Sequence, residues 1–182
     1  FVLGYDIMTS EDSRIKIEPY YQQLYNIPVK PNSSFSVINM DKNWFISDSL
    51  INIGKGENYG IDITAERFLH NGFYYMITGS LFSSGYTGGD GVARSSRFNK
   101  GYLINILGGK EWKIGKNRNN LFGINGKMNF QGGDHYTPVN TTASVLAQSV
   151  VLKEEEAFTL QLQPVYYIDV TLSYTINKKK HT

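Results

Sequence analysis

From Phe158 to Ile176 every even-numbered residue is apolar or aromatic, running through Leu160, Leu162, Pro164, Tyr166, Ile168, Val170, Leu172 and Tyr174. The odd positions between them are mostly polar, with Thr159, Gln161, Gln163, Asp169, Thr171, Ser173, Thr175 and Asn177 broken only by Val165 and Tyr167. A period of two places the two sets on opposite faces of an extended strand. Read as one strand, 158–177 spans on the order of 60 Å at about 3.3 Å per residue. Ordinary strands hold about 5 to 6 residues. Strands this long suit a large transmembrane β-barrel, where they cross the lipid and continue as wall around a polar lumen.

The same reading predicts strands at about 1–9, 14–25, 58–68, 72–84, 98–114 and 120–132, and no helix of useful length. In the second, Ile15, Ile17, Pro19 and Tyr21 alternate with Arg14, Lys16, Glu18, Tyr20 and Gln22. The third sets Tyr59, Ile61, Ile63 and Ala65 against Asp62, Thr64 and Glu66, and the sixth sets Phe122, Ile124, Met128 and Phe130 against Asn125, Lys127 and Asn129. The fourth and fifth are mixed, with Tyr74, Met76 and Leu103 among residues that put apolar groups on both faces. Pro19 and Pro164 fall inside predicted strands, where a missing N–H removes a ladder bond, so bulges or strand portions beyond a lipid band are expected there.

Connections alternate in length. SEDS at 10–13, HN at 70–71 and GKNRN at 115–119 are short, whereas about 26–57, 85–97 and 133–157 are long. In an antiparallel meander all the short turns then fall at one rim and all the long loops at the other, the asymmetry of outer-membrane barrels. A soluble ligand-binding barrel with its faces inverted shares this alternation, and would turn Ile61, Ile63, Leu160, Leu162 and Leu172 inward. The many charged and amide residues per strand fit a broad wet lumen instead.

Composition narrows the field. There is no cysteine, hence no disulfide framework or thiolate metal site. No apolar run approaches the roughly 20 residues of a membrane helix. Thirteen Tyr and ten Phe suit the interfacial girdles of a barrel. A net charge of +2 gives no reason to propose nucleic acid, and the lysine run at 178–180 reads as a solvated turn. The chain opens directly on the strand-like FVLGYDIM and stops soon after the long alternating segment, so further chain is expected on both sides.

Catalytic chemistry finds no support. His70, His135 and His181 lie far apart in predicted connections, with neither His-Glu-x-x-His spacing nor a Gly-x-Ser-x-Gly elbow. The glycine-rich run 54–60 leads into a strand, whereas a phosphate cradle needs it to lead into a helix. No catalytic residue, metal ligand or cofactor is therefore assigned. Binding is expected in the long loops, where aromatic rings flanked by polar groups can stack on and orient a sugar or chelate ring. The candidates are Trp44 in the first loop, Tyr86, Asp90 and Arg94 in the second, and Asp134, His135 and Tyr136 in the third. Asp62, Glu66 and Asp169 are candidates to face a lumen and line a permeation route.

Several ordered segments also carry a resemblance: NIGKGENYGIDITAERFL at 52–69, GFYYMITGSLFSSGY at 72–86, RFNKGYLINILGGKEWKIGK at 97–116, GGDHYTPVN at 132–140 and PVYYIDVTLSYTINKK at 164–179. Together they resemble the later barrel strands and loops of TonB-dependent outer-membrane receptors, in the subgroup that often carries a carboxypeptidase-regulatory-like domain. Two departures are His135 and Asn140, where that family commonly has Arg and Asp. The resemblance implies an all-β, antiparallel up-and-down transmembrane barrel of 22 strands, of which residues 1–182 form about seven long ones, with plug and TonB box upstream. It further implies a location in the outer membrane of a Gram-negative bacterium and contact with lipid and lipopolysaccharide. Energy would come from the TonB complex, and the loops would capture an iron chelate, cobalamin or an oligosaccharide, with a surface lipoprotein as a further partner. Two other readings stay open on the residues alone: a small self-contained outer-membrane barrel with an adhesive or envelope role, and the soluble barrel described above.

Overall fold

The computed structural model describes residues 1–40, 46–116 and 118–177, so Trp44, His181 and the lysine run at 178–180 lie outside the described residues. The strands are β1 (Tyr5–Ser10), β2 (Ser13–Val29), β3 (Ile51–His70), β4 (Phe73–Thr87), β5 (Ala93–Ser95), β6 (Tyr102–Ile114), β7 (Asn120–Gln131), β8 (His135–Tyr136), β9 (Leu160–Gln161) and β10 (Val165–Thr175). Eight of them form one antiparallel sheet in the order β1-β2-β3-β4-β6-β7-β10, with β5 also on β4. The expected all-β meander is present. The sheet is open, with β1 and β10 at its two edges.

Cross-strand register carries the alternation from strand to strand. One row runs Ile15, Ala65, Ile77, Ile106, Met128 and Ile168. The neighbouring row on the other face runs Lys16, Thr64, Thr78, Asn105, Asn129 and Tyr167. The first face is apolar and open: Ile63, Ile77, Ile106 and Leu172 are all exposed, the last to 66%. The second face is polar and internally bonded. Asn129 Nδ2 donates to Asn105 Oδ1, Asn105 Nδ2 to Thr78 Oγ1 at 3.2 Å, and Tyr74 Oη to Asn125 Oδ1 at 2.7 Å. That last bond explains why an aromatic residue sits on the polar face.

The 158–177 segment is not one strand. Val165–Thr175 joins β7, but Phe158 has φ of 57°, and Leu160–Gln161 pairs instead with β8 in a separate two-stranded ribbon. Pro164 has no N–H to continue the ladder. A Cβ at Gly133 would lie 2.1 Å from the Leu162 carbonyl oxygen, so the ribbon closes only because that position is glycine. At about 3.3 Å per residue β10 spans roughly 36 Å, not 60.

Pro19 makes no bulge, because the β2–β3 register runs unbroken past it from Ser13 to Leu24. Its carbonyl accepts from Leu3 N–H, so its missing N–H faces the β1 side, where pairing has thinned to an isolated Val2–Tyr20 bridge. The bulges fall later, around Asn26, whose φ is 56°. A seven-residue helix, α1 (Thr141–Ala147), occupies the third long loop. Asn140 caps it by accepting from Ala143 N–H at 3.1 Å, and Gln148 ends it in the left-handed region.

Short turns gather at one rim. There Asp12 binds Arg67 at 3.1 Å and approaches His70 Nδ1 at 3.6 Å. Lys110 Nζ donates to the Asn71 carbonyl at 2.9 Å. The long loops gather at the other rim, where buried residues concentrate, among them Ser36, Asn39, Ser96 and Ala157 of the loops against Val29 and Tyr86 at the strand ends.

Candidate functional site

Three connections converge over the polar face at the long-loop rim: the first, described at 30–40 and 46–50, the second at 88–101 and the third at 132–164. The glycine-rich start of β3 is their floor. A Cβ at Gly54 would sit 2.4 Å from Val29 Cγ1 and one at Gly56 2.6 Å from Ile38 Cδ1, so the first loop packs where side chains are missing. The loops are also stitched to one another. Ser34 N–H donates to Glu154 Oε1 at 2.8 Å, Arg97 N–H to Asn39 Oδ1 at 2.8 Å, and His135 N–H to the Arg97 carbonyl at 2.8 Å. The first loop thereby contacts both others, and the second contacts the third.

Most of the residues expected to meet a ligand hold this cap together. Tyr86 is only 3% exposed and lies beneath it, its ring edge-on to Phe158 and its hydroxyl without a partner. Asp90 and Arg94 form a bidentate pair at 2.7 and 3.0 Å. The guanidinium bonds hold the Asp90 carboxyl below its usual range and push Arg94 up. Asp134 pairs with Lys100 at 2.7 Å, and His135 Nδ1 meets the Phe158 carbonyl at 2.9 Å. Tyr136 stays open, at 41% exposure, and Asp90 is also exposed although its carboxylate is held by Arg94. Trp44 falls outside the described residues.

Asp62, Glu66 and Asp169 share the polar face. Asp62 Oδ1 accepts from Ser80 Oγ at 2.5 Å, and Glu66 is ion-paired with Arg14. Asp169 stands opposite Lys127 in the register, with the ammonium 5.6 Å from the Tyr167 ring centroid. The first two are occupied by neighbours, and Asp169 lies on the exposed edge strand.

One concavity among the described residues is not anticipated by the sequence reading. A cleft of about 530 Å³ opens between the first and third loops, with Ser34, Ser36, Asn39 and Glu154 on its polar wall and Phe35 and Phe158 on its apolar wall. Glu154 is held below the usual carboxyl range, first by the Ser33 hydroxyl and then by the Ser34 N–H. The cluster of Asn and Ser at 32–36 was its only signal, and such residues read equally as turn formers. Among the described residues no group of three or more His, Cys, Asp or Glu side chains is placed to hold a metal ion. Comparison with protein-family models, with curated proteins and with solved structures found no match.

Proposed function

We propose that the chain forms part of the wall of an outer-membrane β-barrel and carries the outer loops with which a TonB-dependent transporter captures a scarce nutrient. The observation that carries this reading is the pairing of faces across the sheet. One side is apolar and exposed on β2, β3, β4, β6, β7 and β10, while the other is polar and hydrogen-bonded across β4, β6 and β7. An apolar face of that extent in water would be an aggregation surface, and in a bilayer it is the solvated one.

Strand lengths support it. β3 has 20 residues, β4 has 15 and β6 has 13, above the roughly 9 to 11 needed to cross the hydrocarbon layer. Unpaired backbone along β1 and β10 cannot remain exposed in lipid, so further strands close the wall. That favours a large barrel over a self-contained small one. The segments resembling TonB-dependent receptors supply the transport part of the proposal, and the stitched outer loops supply a surface for an iron chelate, cobalamin or oligosaccharide. On this reading lipopolysaccharide surrounds the rim, a surface lipoprotein can dock on the loops, and passage involves no covalent chemistry.

Topology in intact cells tests it. Single cysteines replacing Asp134 in the third loop and Glu11 in a short turn are probed in the full-length protein with an impermeant thiol reagent, with no native Cys in this chain to confuse the readout. Labelling at 134 with protection at 11 is the expected outcome. Equal protection of both would overturn the proposal.

A further inference from the structure

At the rim opposite the long loops, the β6–β7 hairpin is basic. Between Lys110 and Asn120 it carries Lys110, Lys113, Lys116 and Arg118 against Glu111 alone. Lys116 and Arg118 are exposed in the turn. Lys110 is placed differently, because the register sets it in the apolar row that runs Phe73, Lys110, Ile124 and Leu172, whose three apolar members are all exposed. The next row towards the turn on that face is aromatic. Trp112 stacks on Phe122 with ring centroids 5.9 Å apart, and Tyr174, opposite Phe122, accepts from Asn120 Nδ2 at 3.1 Å. Lys110 therefore leaves the sheet one row deeper into the apolar face than this aromatic row. Its Nζ gives one N–H to the Asn71 carbonyl at 2.9 Å and keeps two donors. Among the described residues no carboxylate pairs with Lys110, Lys116 or Arg118. Arg67, a cation on the same face, is by contrast paired with Asp12 at 3.1 Å.

We propose that this corner of the sheet holds the phosphate of an anionic glycerophospholipid, with Lys110 as its central ligand. An ammonium set among apolar side chains in a low-dielectric surrounding is costly unless an anion accompanies it. The neighbouring strands offer none, and the anion available at headgroup level is a lipid phosphate. In this arrangement the acyl chains run along the exposed Ile124, Met128 and Leu172, and the aromatic row packs at the level of the glycerol. Lys116 and Arg118 meet the headgroup from the turn. These two cations favour a headgroup with a net negative charge, such as that of phosphatidylglycerol, over phosphatidylethanolamine, whose own ammonium they would repel. The assignment rests on the reading of the apolar face as lipid-facing, and it adds a headgroup-selective contact at the rim that takes no part in ligand capture.

The test uses the purified full-length protein in mixed micelles holding equal amounts of phosphatidylglycerol and phosphatidylethanolamine, with the retained lipids identified by native mass spectrometry. Phosphatidylglycerol is expected to be retained at least about fivefold over phosphatidylethanolamine, the discrimination that one basic residue near a headgroup supplies. Lys110→Gln should remove most of that preference, and Lys116→Gln combined with Arg118→Gln should lower it as well. Lys55→Gln, which removes an exposed cation from β3 near the long-loop rim, should leave it unchanged. Circular dichroism checks that each variant keeps its sheet. Equal retention of the two lipids, a preference that survives all three hairpin substitutions together, or an equal loss in Lys55→Gln would overturn the assignment. Displacement of the lipid by millimolar inorganic phosphate would overturn it too, by marking the site as one for a free anion. Surface labelling at residue 134 with no lipid preference would remove this site and leave the transporter reading standing, whereas equal protection at 134 and 11 would remove both.

Discussion

Tyr86 and Phe158 meet edge to face, their ring centroids 5.9 Å apart and their planes at 78°. One ring belongs to the end of a long strand and the other to a residue in the left-handed region that lifts the chain out of the sheet. The contact fastens the third loop to the sheet. Aromatic pairs of this kind contribute about 0.5–1.5 kcal/mol beyond the area they bury. Phe158→Ala is therefore expected to loosen the loops while leaving the sheet intact. Limited proteolysis should show faster cutting within 132–164, with the β-sheet signal in circular dichroism unchanged.

Tyr86→Phe makes the opposite prediction from the same place. The hydroxyl is buried and has no partner, so removing it abolishes a desolvated polar group and leaves the ring contact. Thermal melting in detergent should be unchanged or raised by a degree or two, on the order of 1 kcal/mol at most. A clear loss of stability would show that the hydroxyl is bonded in the native state.

Acid should loosen the cap. Glu154 and Asp90 have folded-state pKa values below their unfolded ones, so they bind fewer protons when folded. Their stabilisation is fully present above the ordinary carboxylate range of about pH 4 and is lost as pH falls through the depressed values. Hydrogen exchange at Ser34, whose N–H donates to Glu154, should accelerate below about pH 4 once corrected for intrinsic rates. Glu154→Gln keeps an acceptor and removes the titrating charge, leaving only the share due to Asp90.

Two glycines separate close packing from open space. Gly54→Ala puts a Cβ 2.4 Å from Val29 Cγ1 and 2.8 Å from the Ile27 carbonyl, whereas Gly79→Ala meets nothing within 4 Å. The first should cost about 1–3 kcal/mol, typical of overpacking, and the second close to nothing. Urea titration of the folded protein in vesicles would measure both.

Neighbouring positions on β10 test the proposal that the apolar face meets lipid. Val170 lies on the apolar face and Thr171 on the polar one, opposite Asn125. Val170→Arg should cost about 2–4 kcal/mol of folding into a bilayer if it lies near the midplane, and Thr171→Arg far less. Equal costs would argue against lipid on the apolar side.

The sheet was legible because a period of two survives in β2, β3 and β7, where Ile15–Ile17, Ile61–Ile63 and Phe122–Ile124 each keep to one face. The strongest alternating run misled over its first seven residues. Hydrophobic alternation reports which side a residue would take if extended, and it is blind to the positive φ at Phe158 and the pairing of Leu160 with Tyr136. The helix at 141–147 was missed because its signal is a single Asn cap ahead of a segment of only seven residues, too short to show a helical period. Among candidate site residues, charge and aromaticity pointed to Asp90 and Arg94, which pair with each other, to Asp134, which pairs with Lys100, and to His135, which meets a backbone carbonyl. Ser34, Asn39 and Glu154 have no shared spacing in sequence, and only the convergence of two loops makes them neighbours.

The bond from Ser34 to Glu154 joins residues 120 positions apart. Each β-hairpin of the meander closes through partners near in sequence, whereas this link requires the intervening strands to be already aligned. The capped rim is accordingly expected to form last. In a refolding experiment, protection of the Ser34 amide should lag behind that of the ladder amides of β3 and β4, so one backbone hydrogen serves as a clock for completed assembly.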